Sequence, residues 1–333
     1  MSNDTLEINS PTDLQQFLLG LTNSDGTITG RQTTFSPITS PTPDPNQSGP
    51  VLSKDVTIND SNNTWARIFL PREALEDCSS SKLPLIVYFH GGGFVIGSTA
   101  ESSFHDFCAD MALQFQATVV SVEYRLAPEH RLPAAYDDAM EAFHWIKTNQ
   151  DEDAWLKDYA DVTRCLIMGG SAGGNIAYHA GLRAAAEFDN LLPLKIKGLI
   201  LHQPFFGGSE RTESETRVNH PFAVPIISDL MWELSLPIGA NRDHEYCNPT
   251  VGGGGKTLID EIKRLGWMVL VIGSDGDLFY DWQIGLAKML KEKGVQVEYH
   301  FEEGGYHGDV AIEPTRTKCL HVLKKFVLSL TAH

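Results

Sequence analysis

Two apolar runs in this chain end abruptly in glycine-bearing turns, and that pairing limits the architecture more than any other feature. Val87-Tyr88-Phe89 leads into His90-Gly91-Gly92-Gly93-Phe94, and Leu166-Ile167-Met168 leads into Gly169-Gly170-Ser171-Ala172-Gly173-Gly174-Asn175. A glycine run just past a buried strand lets backbone N–H groups turn toward a ligand, because no Cβ stands in the way. The second turn has the spacing G-x-S-x-G between a strand and a helix. Its glycines at 169 and 173 leave room for a sharp turn that holds Ser171 in a strained conformation, with its hydroxyl clear of the sheet. That hydroxyl stands at a helix N-terminus, where the Ala172 N–H joins one or two from Gly91, Gly92 and Gly93 as donors to a developing oxyanion. Either motif alone is common; in this order and strand context they point to a nucleophilic serine.

The remaining chain has the periodicity such turns require. Strand-like runs fall at 51–57, 64–70, 84–90, 118–124, 163–169, 196–202, 267–273 and 295–301, the middle ones almost wholly apolar, as in strands covered on both faces of a parallel sheet. Helical stretches lie between them at 103–116, 134–149, 174–186 and 282–293, with a last one at 315–330. This alternation predicts an α/β fold, a mostly parallel doubly wound sheet with antiparallel strands near its start. The apolar spacing of Leu14, Phe17, Leu18 and Leu21 predicts a short amphipathic element, and the Pro- and Ser-rich stretch 35–50 reads as an extended linker. Residues 1–45 are therefore expected to form a cap or linker segment, and 46–333 one catalytic domain. Between His202 and Gly266 the alternation breaks into loops, one helix around Ile227–Leu234 and a flexible Gly252–Gly255 run. An insertion at about 203–245 is expected to cap the site.

At 333 residues, 42% hydrophobic and 21% charged, the chain can bury a substantial core. Its formal charge of −17 argues against nucleic acid or an anionic membrane as partner, since both need a basic face. Five widely spaced cysteines with no C-x-x-C pair indicate neither a disulfide framework nor a zinc site, and a reducing cytosol fits them. The polar N-terminus carries no secretory pattern, no run of about 18 apolar residues occurs, and the C-terminus is not a peroxisomal tripeptide. A small-molecule substrate and a monomer or weak homodimer are expected.

A serine hydroxyl needs a general base, and the base needs an orienting carboxylate. On a sheet of this kind, in α/β-hydrolases, the partners follow in the order Ser, Asp or Glu, His, each just past a strand end. His307 follows the last strand in the loop Gly304-Gly305-Tyr306-His307-Gly308, whereas His300 lies inside that strand and His321 inside the final helix. Ser274-Asp275-Gly276-Asp277-Leu278-Phe279-Tyr280-Asp281 offers three aspartates after the strand 267–273. Asp281 reads as the N-cap of the helix starting at Trp282, which leaves Asp275 and Asp277. Phe94, Phe205, Phe206, Trp232, Phe279 and Tyr306 are candidates for an acyl or alcohol pocket, although aromatic side chains are ordinarily core. Tyr124, Arg125 and Glu129 read as locks on the loop after a central strand, and His90 as a support for the glycine loop.

The His90–Gly93 motif, the run Glu123-Tyr124-Arg125-Leu126-Ala127-Pro128-Glu129-His130 with Pro133-Ala134-Ala135 and Asp137-Asp138, and Gly169 to Asn175 together resemble the plant carboxylesterases. That group lies in the hormone-sensitive-lipase-like branch of the α/β-hydrolases, and the likeness runs over about residues 50–330. The resemblance implies an α/β-hydrolase fold and cofactor-free ester hydrolysis through an acyl-enzyme. It also selects Asp277 over Asp275, because the family's acid opens a D-x-L-x-D-like element and its histidine follows some thirty residues on. Related proteins include hormone receptors and lyase- or cyclase-type enzymes; the receptors characteristically lack the histidine present here as His307. Three positions depart from the family pattern: Gly170 where relatives carry an acid, Phe279 for leucine, and Asp309 for an aromatic residue.

Overall fold

A computed structural model describes residues 27–28, 36–46, 48–76, 81–218, 225–251 and 254–331. Its eight strands are β1 (Val51–Asn59), β2 (Thr64–Pro71), β3 (Leu83–Phe89), β4 (Thr118–Glu123), β5 (Ala160–Gly170), β6 (Ile196–His202), β7 (Met268–Ser274) and β8 (Gln296–Glu302). All eight expected runs are strands. They form one sheet in the order β1-β2-β4-β3-β5-β6-β7-β8, antiparallel at β1·β2 and β2·β4 and parallel from β4 onward.

The near-continuous apolar strands divide their side chains between two cores. On β5, Cys165 and Ile167 enter one cluster while Leu166 and Met168 enter the other, as the two-residue period of a strand dictates. The first cluster lies under the helices Ala134–Asn149, Ala172–Ala186 and Tyr280–Glu292, the second under Ser102–Phe115 and Thr315–Thr331. Covering both faces leaves the carboxyl ends of the parallel strands as the place where loops converge.

Two expectations are corrected here. The Gly252–Gly255 run is not simply a flexible stretch, because Gly254 and Gly255 open a helix, Gly254–Leu265. Ile259 and Ile262, buried at one helical spacing, hold it in the first core, and that burial outweighs the glycines' cost of about 1 kcal/mol each. Asp281 is not an N-cap: the helix begins at Tyr280, and Phe279 occupies the cap position without a side-chain bond. The Asp281 carboxylate instead accepts the Ser214 N–H at 2.8 Å, tying the short helix Glu213–Arg217 to the loop after β7. Ser214 Oγ donates to the Leu278 carbonyl at 2.9 Å and accepts the Asp281 N–H at 3.3 Å, Trp282 Nε1 donates to Glu215 at 3.1 Å and Arg217 to the Asp275 carbonyl at 2.9 Å, so five bonds join these segments.

The expected element around Leu14–Leu21 lies outside the described residues. Further along, the Ile28 side chain is buried and its N–H donates to Glu129 at 2.6 Å. The Pro- and Ser-rich stretch is extended but stitched to the body. Thr39 N–H donates to the Ala100 carbonyl, Ser102 N–H to the Pro37 carbonyl, and Ser53 N–H to the Thr42 carbonyl. The buried Arg67 guanidinium grips Asp55 with two nitrogens at 2.7 and 2.9 Å and donates from Nη1 to the Thr39 carbonyl at 2.7 Å. Cutting the chain after residue 45 therefore strips a partner from a buried cation, while cutting after residue 35 does not. In chemical denaturation the shorter truncation is expected to be more stable than the longer by about 2 kcal/mol or more; equal midpoints would show that 36–45 is only a tail.

Candidate active site

Ser171 joins β5 to the helix Ala172–Ala186 with φ 54° and ψ −119°, a conformation L residues rarely adopt and one that costs about 1–3 kcal/mol. The surrounding backbone holds it there: Ser171 N–H donates to the His202 carbonyl at 2.9 Å, and the Ser171 carbonyl accepts the Phe205 N–H at 2.9 Å and the Asn175 N–H at 3.1 Å. The flanking glycines are required by close approach. A Cβ at Gly169 would lie 2.0 Å from the Gly173 carbonyl oxygen, and one at Gly173 would lie 2.0 Å from that of Phe89. Gly170 is different, for a Cβ there would sit at ordinary contact distance, 3.6 Å from Tyr88 Oη and 3.7 Å from His202 Nδ1.

The glycine loop lies against this turn. Gly92 has φ +116° and no space for a Cβ, which would fall 1.9 Å from the Ile96 carbonyl, and a Cβ on Gly91 would come within 3.3 Å of Ser171 Cβ. Gly91 is thus brought to the serine, with Gly92 and Gly93 following it in the loop and Ala172 next to the serine in the chain. As the first residue of its helix, Ala172 has an N–H with no carbonyl behind it in the helix, and the helix dipole adds positive potential there. His90 supports the loop from below: its Nδ1 donates to the Gly91 carbonyl at 2.7 Å, its carbonyl accepts the Tyr124 hydroxyl at 2.9 Å, and the two rings stack at 4.3 Å. Arg125 is locked as well, by a multiply bonded pair with the buried Asp138.

Ser171 Oγ stands 2.8 Å from His307 Nε2, and His307 Nδ1 stands 2.9 Å from Asp277 Oδ2. A carboxylate facing Nδ1 requires the proton on that nitrogen, which leaves Nε2 free to accept from the serine hydroxyl. Asp277 is fully buried, and two further donors complete its shell, Phe279 N–H on Oδ1 at 2.9 Å and Gln283 Nε2 on Oδ2 at 2.8 Å. Asp275 points elsewhere, accepting the Gly304 N–H at 2.7 Å, so geometry separates the two aspartates that spacing left open.

Four of the six candidate aromatics form one wall. Trp232 stacks on Phe205 at 4.4 Å, Phe94 lies 5.5 Å from Trp232, and Phe279 sits edge-on to both Phe205 and His307 at 4.9 Å. Phe206 does not belong to it: it follows Phe205 on the opposite side of the chain and packs at 5.5 Å on Tyr178 in the core. Tyr306 is half-buried beside His307 in the chain, contributing its backbone to the loop. The helix Pro225–Ser235 lies on the glycine loop, with Met231 2.8 Å from where a Gly93 Cβ would be and Ser235 Oγ donating to the Gly93 carbonyl at 3.2 Å. Gln203 and Gln283, which touch the histidine loop and the acid, went unnoticed in the sequence. The only available signal was the position of Gln203 directly after an apolar strand.

Three histidines near these elements, His90 and His202 buried and His179 half-buried, are shifted toward the neutral form chiefly by desolvation: His90 and His202 are lowered from 6.5 to about 4 and His179 to about 3. A histidine lowered on folding binds its proton less readily in the native than in the unfolded state. Its stabilising contribution is complete above about pH 6.5 and is lost as the pH falls toward 4. Denaturant midpoints should therefore drop between pH 7 and 5, and His179→Gln should show a shallower drop; parallel curves would refute the assignment.

A family model described as alpha/beta hydrolase fold matches residues 86–310. Carboxylesterase 20 of Arabidopsis thaliana is 49% identical over 322 residues, covering 96% of this chain and 97% of its own. The 3-O-acetylpapaveroxine carboxylesterase CXE1 of Papaver somniferum is 47% identical over 288 residues, 83% of this chain and 88% of its own. Among solved structures, an esterase of Pyrobaculum calidifontis superposes with a TM-score of 0.70 at 27% identity, covering 84% of this chain and 86% of that one.

Proposed function

From the premise that the chain belongs to the α/β-hydrolase family and is a carboxylesterase, we propose that Ser171, His307 and Asp277 carry the reaction and that the acyl group is short. Ser171 Oγ attacks the ester carbonyl while its proton passes to His307 Nε2, and the glycine-loop and Ala172 N–H groups receive the oxyanion. Collapse breaks the ester C–O bond, the alcohol leaves with the proton from Nε2, and water repeats the sequence to free the acid and regenerate the serine. Asp277 keeps the imidazole in the tautomer this requires. The observation that carries the reading is the unbroken line from a strained serine through imidazole to a buried, fully bonded carboxylate. No residue in it needs a cofactor, and a reducing cytosol suits the four described cysteines, all free and buried.

Ser171→Ala should abolish turnover of p-nitrophenyl esters, and organophosphate should label the Ser171 peptide in the wild type. Asp277→Asn should lower kcat by about 10⁴, the loss typical when a triad acid no longer fixes the tautomer, and Asp275→Asn should be mild. The reverse ranking would transfer the role to Asp275.

A short acyl group is supported by the aromatic wall. Phe94, Phe205, Trp232 and Phe279 are at most 5% exposed, so the ground beside the glycine loop is filled by rings instead of forming an open slot. The Papaver relative is named for an acetyl ester. Across a p-nitrophenyl series, kcat/KM should be highest for acetate and butyrate and at least tenfold lower for octanoate, since a closed apolar wall rejects added methylenes by about 1–3 kcal/mol. Met231→Ala should narrow that ratio. Equal kcat/KM for all chain lengths would exclude the short-acyl reading.

A further inference from the structure

We propose that Gln203, together with Asp309, is a positioning residue that sets His307 against Ser171. The inference rests on the role given above to His307. The loop carrying that histidine is poorly constrained by its own sequence: Gly304 and Gly308 have φ of +76° and +83°, and Glu303, Gly304 and Gly308 are exposed. Glycines of this kind widen the conformations open to a loop, yet Nε2 must be held to a fraction of an ångström for proton transfer.

The Gln203 side chain meets that need from across the sheet. Its Nε2 donates to the Tyr306 carbonyl at 3.0 Å, and its Oε1 accepts the Gly308 N–H at 2.8 Å, so one amide grips the backbone on both sides of His307. A carbonyl on one side and an N–H on the other allow only one orientation of the amide. Nε2 also approaches Asp309 Oδ1 at 3.2 Å and Ser274 Oγ at 3.4 Å, while Asp309 Oδ2 accepts the Tyr306 N–H at 3.1 Å. Asp309 is thus a second brace on the same loop, buried at the position where the family pattern has an aromatic residue.

Gln203 is itself held in place. Its φ is 43°, in the left-handed region, and its N–H donates to the Ile272 carbonyl of β7 at 2.7 Å. The residue before it, His202, supplies the carbonyl that receives the Ser171 N–H. The end of β6 therefore touches the serine turn through one residue and the histidine loop through the next, and a shift there would alter the distance between them.

The test measures kcat and KM for p-nitrophenyl acetate, per Ser171 titrated with organophosphate, in Gln203→Leu, Asp309→Asn, Gln203→Glu and the pair Gln203→Glu with Asp309→Asn. Gln203→Leu should lower kcat per titrated site by about 10²-fold with little change in KM, as expected when a reacting group is displaced by about 1 Å. Gln203→Glu sets a carboxylate against the Tyr306 carbonyl and Asp309, and adding Asp309→Asn restores a donor opposite it. That pair should recover part of the kcat lost in Gln203→Glu, which decides the matter even if Gln203→Leu does not fold. A loss confined to the number of titratable sites, or absence of recovery in the pair, would overturn the proposal. Absence of the adduct from Ser171 in the wild type would overturn the nucleophile reading and the clamp with it. An adduct on Ser171 with kcat unchanged in the variants would overturn the clamp alone.

Discussion

The contact between Gly173 and the Phe89 carbonyl is the constraint on which the site depends. A Cβ at 173 would lie 2.0 Å from that oxygen, so the helix Ala172–Ala186 reaches its seat over β3 only with glycine there. Because the helix starts so close to the sheet, the chain leaving β5 has a single residue in which to turn, and that residue is Ser171 with φ 54°. The same approach brings the first turn of the helix beside the loop after β3. Strain at the serine, nearness of the glycine loop and a helix N-terminus beside the serine are consequences of one backbone packing distance.

What surrounds this point serves to hold polar groups that cannot be left alone in an interior. Asp277 has no exposure, and it is tolerable there because an imidazole, a backbone N–H and an amide all face it. His90 is likewise buried and neutral, its one donor spent on the Gly91 carbonyl. Hydrogen bonds made in an interior rigidify their neighbourhood, and these sit beneath the acid loop and the glycine loop respectively.

The strands, the five principal helices and the Ser171–His307 pair were legible because each rests on a local rule: period, glycine spacing, or position after a strand. The choice between Asp275 and Asp277 was not legible from spacing and came only from the family resemblance, since both follow β7 and the path of the His307 loop decides which carboxyl it meets. The helix Gly254–Leu265 was hidden by its leading glycines, although Leu258, Ile259, Ile262 and Leu265 repeat with helical spacing. Asp281 misled because a short acid before an apolar run resembles a cap, whereas its partner, Ser214, lies 67 residues away in sequence. Gln203 follows the same logic, since its partners Tyr306 and Gly308 lie 103 and 105 residues away in sequence, whereas Gln283 meets Asp277 from six residues on.

The five bonds between Glu213–Arg217 and the loop 275–282 bear on how this scaffold can be remodelled. Segments above an α/β sheet are often regarded as interchangeable modules, to be swapped between homologues to transplant selectivity. In this chain the segment after β6 shares its hydrogen bonds with the stretch that presents Asp277. A graft taken from a relative would have to bring both stretches together, or re-create Ser214 opposite Asp281 and Glu215 opposite Trp282. The unit that can be exchanged is therefore discontinuous in sequence, and diversification of one part is tied to compensating change in the other.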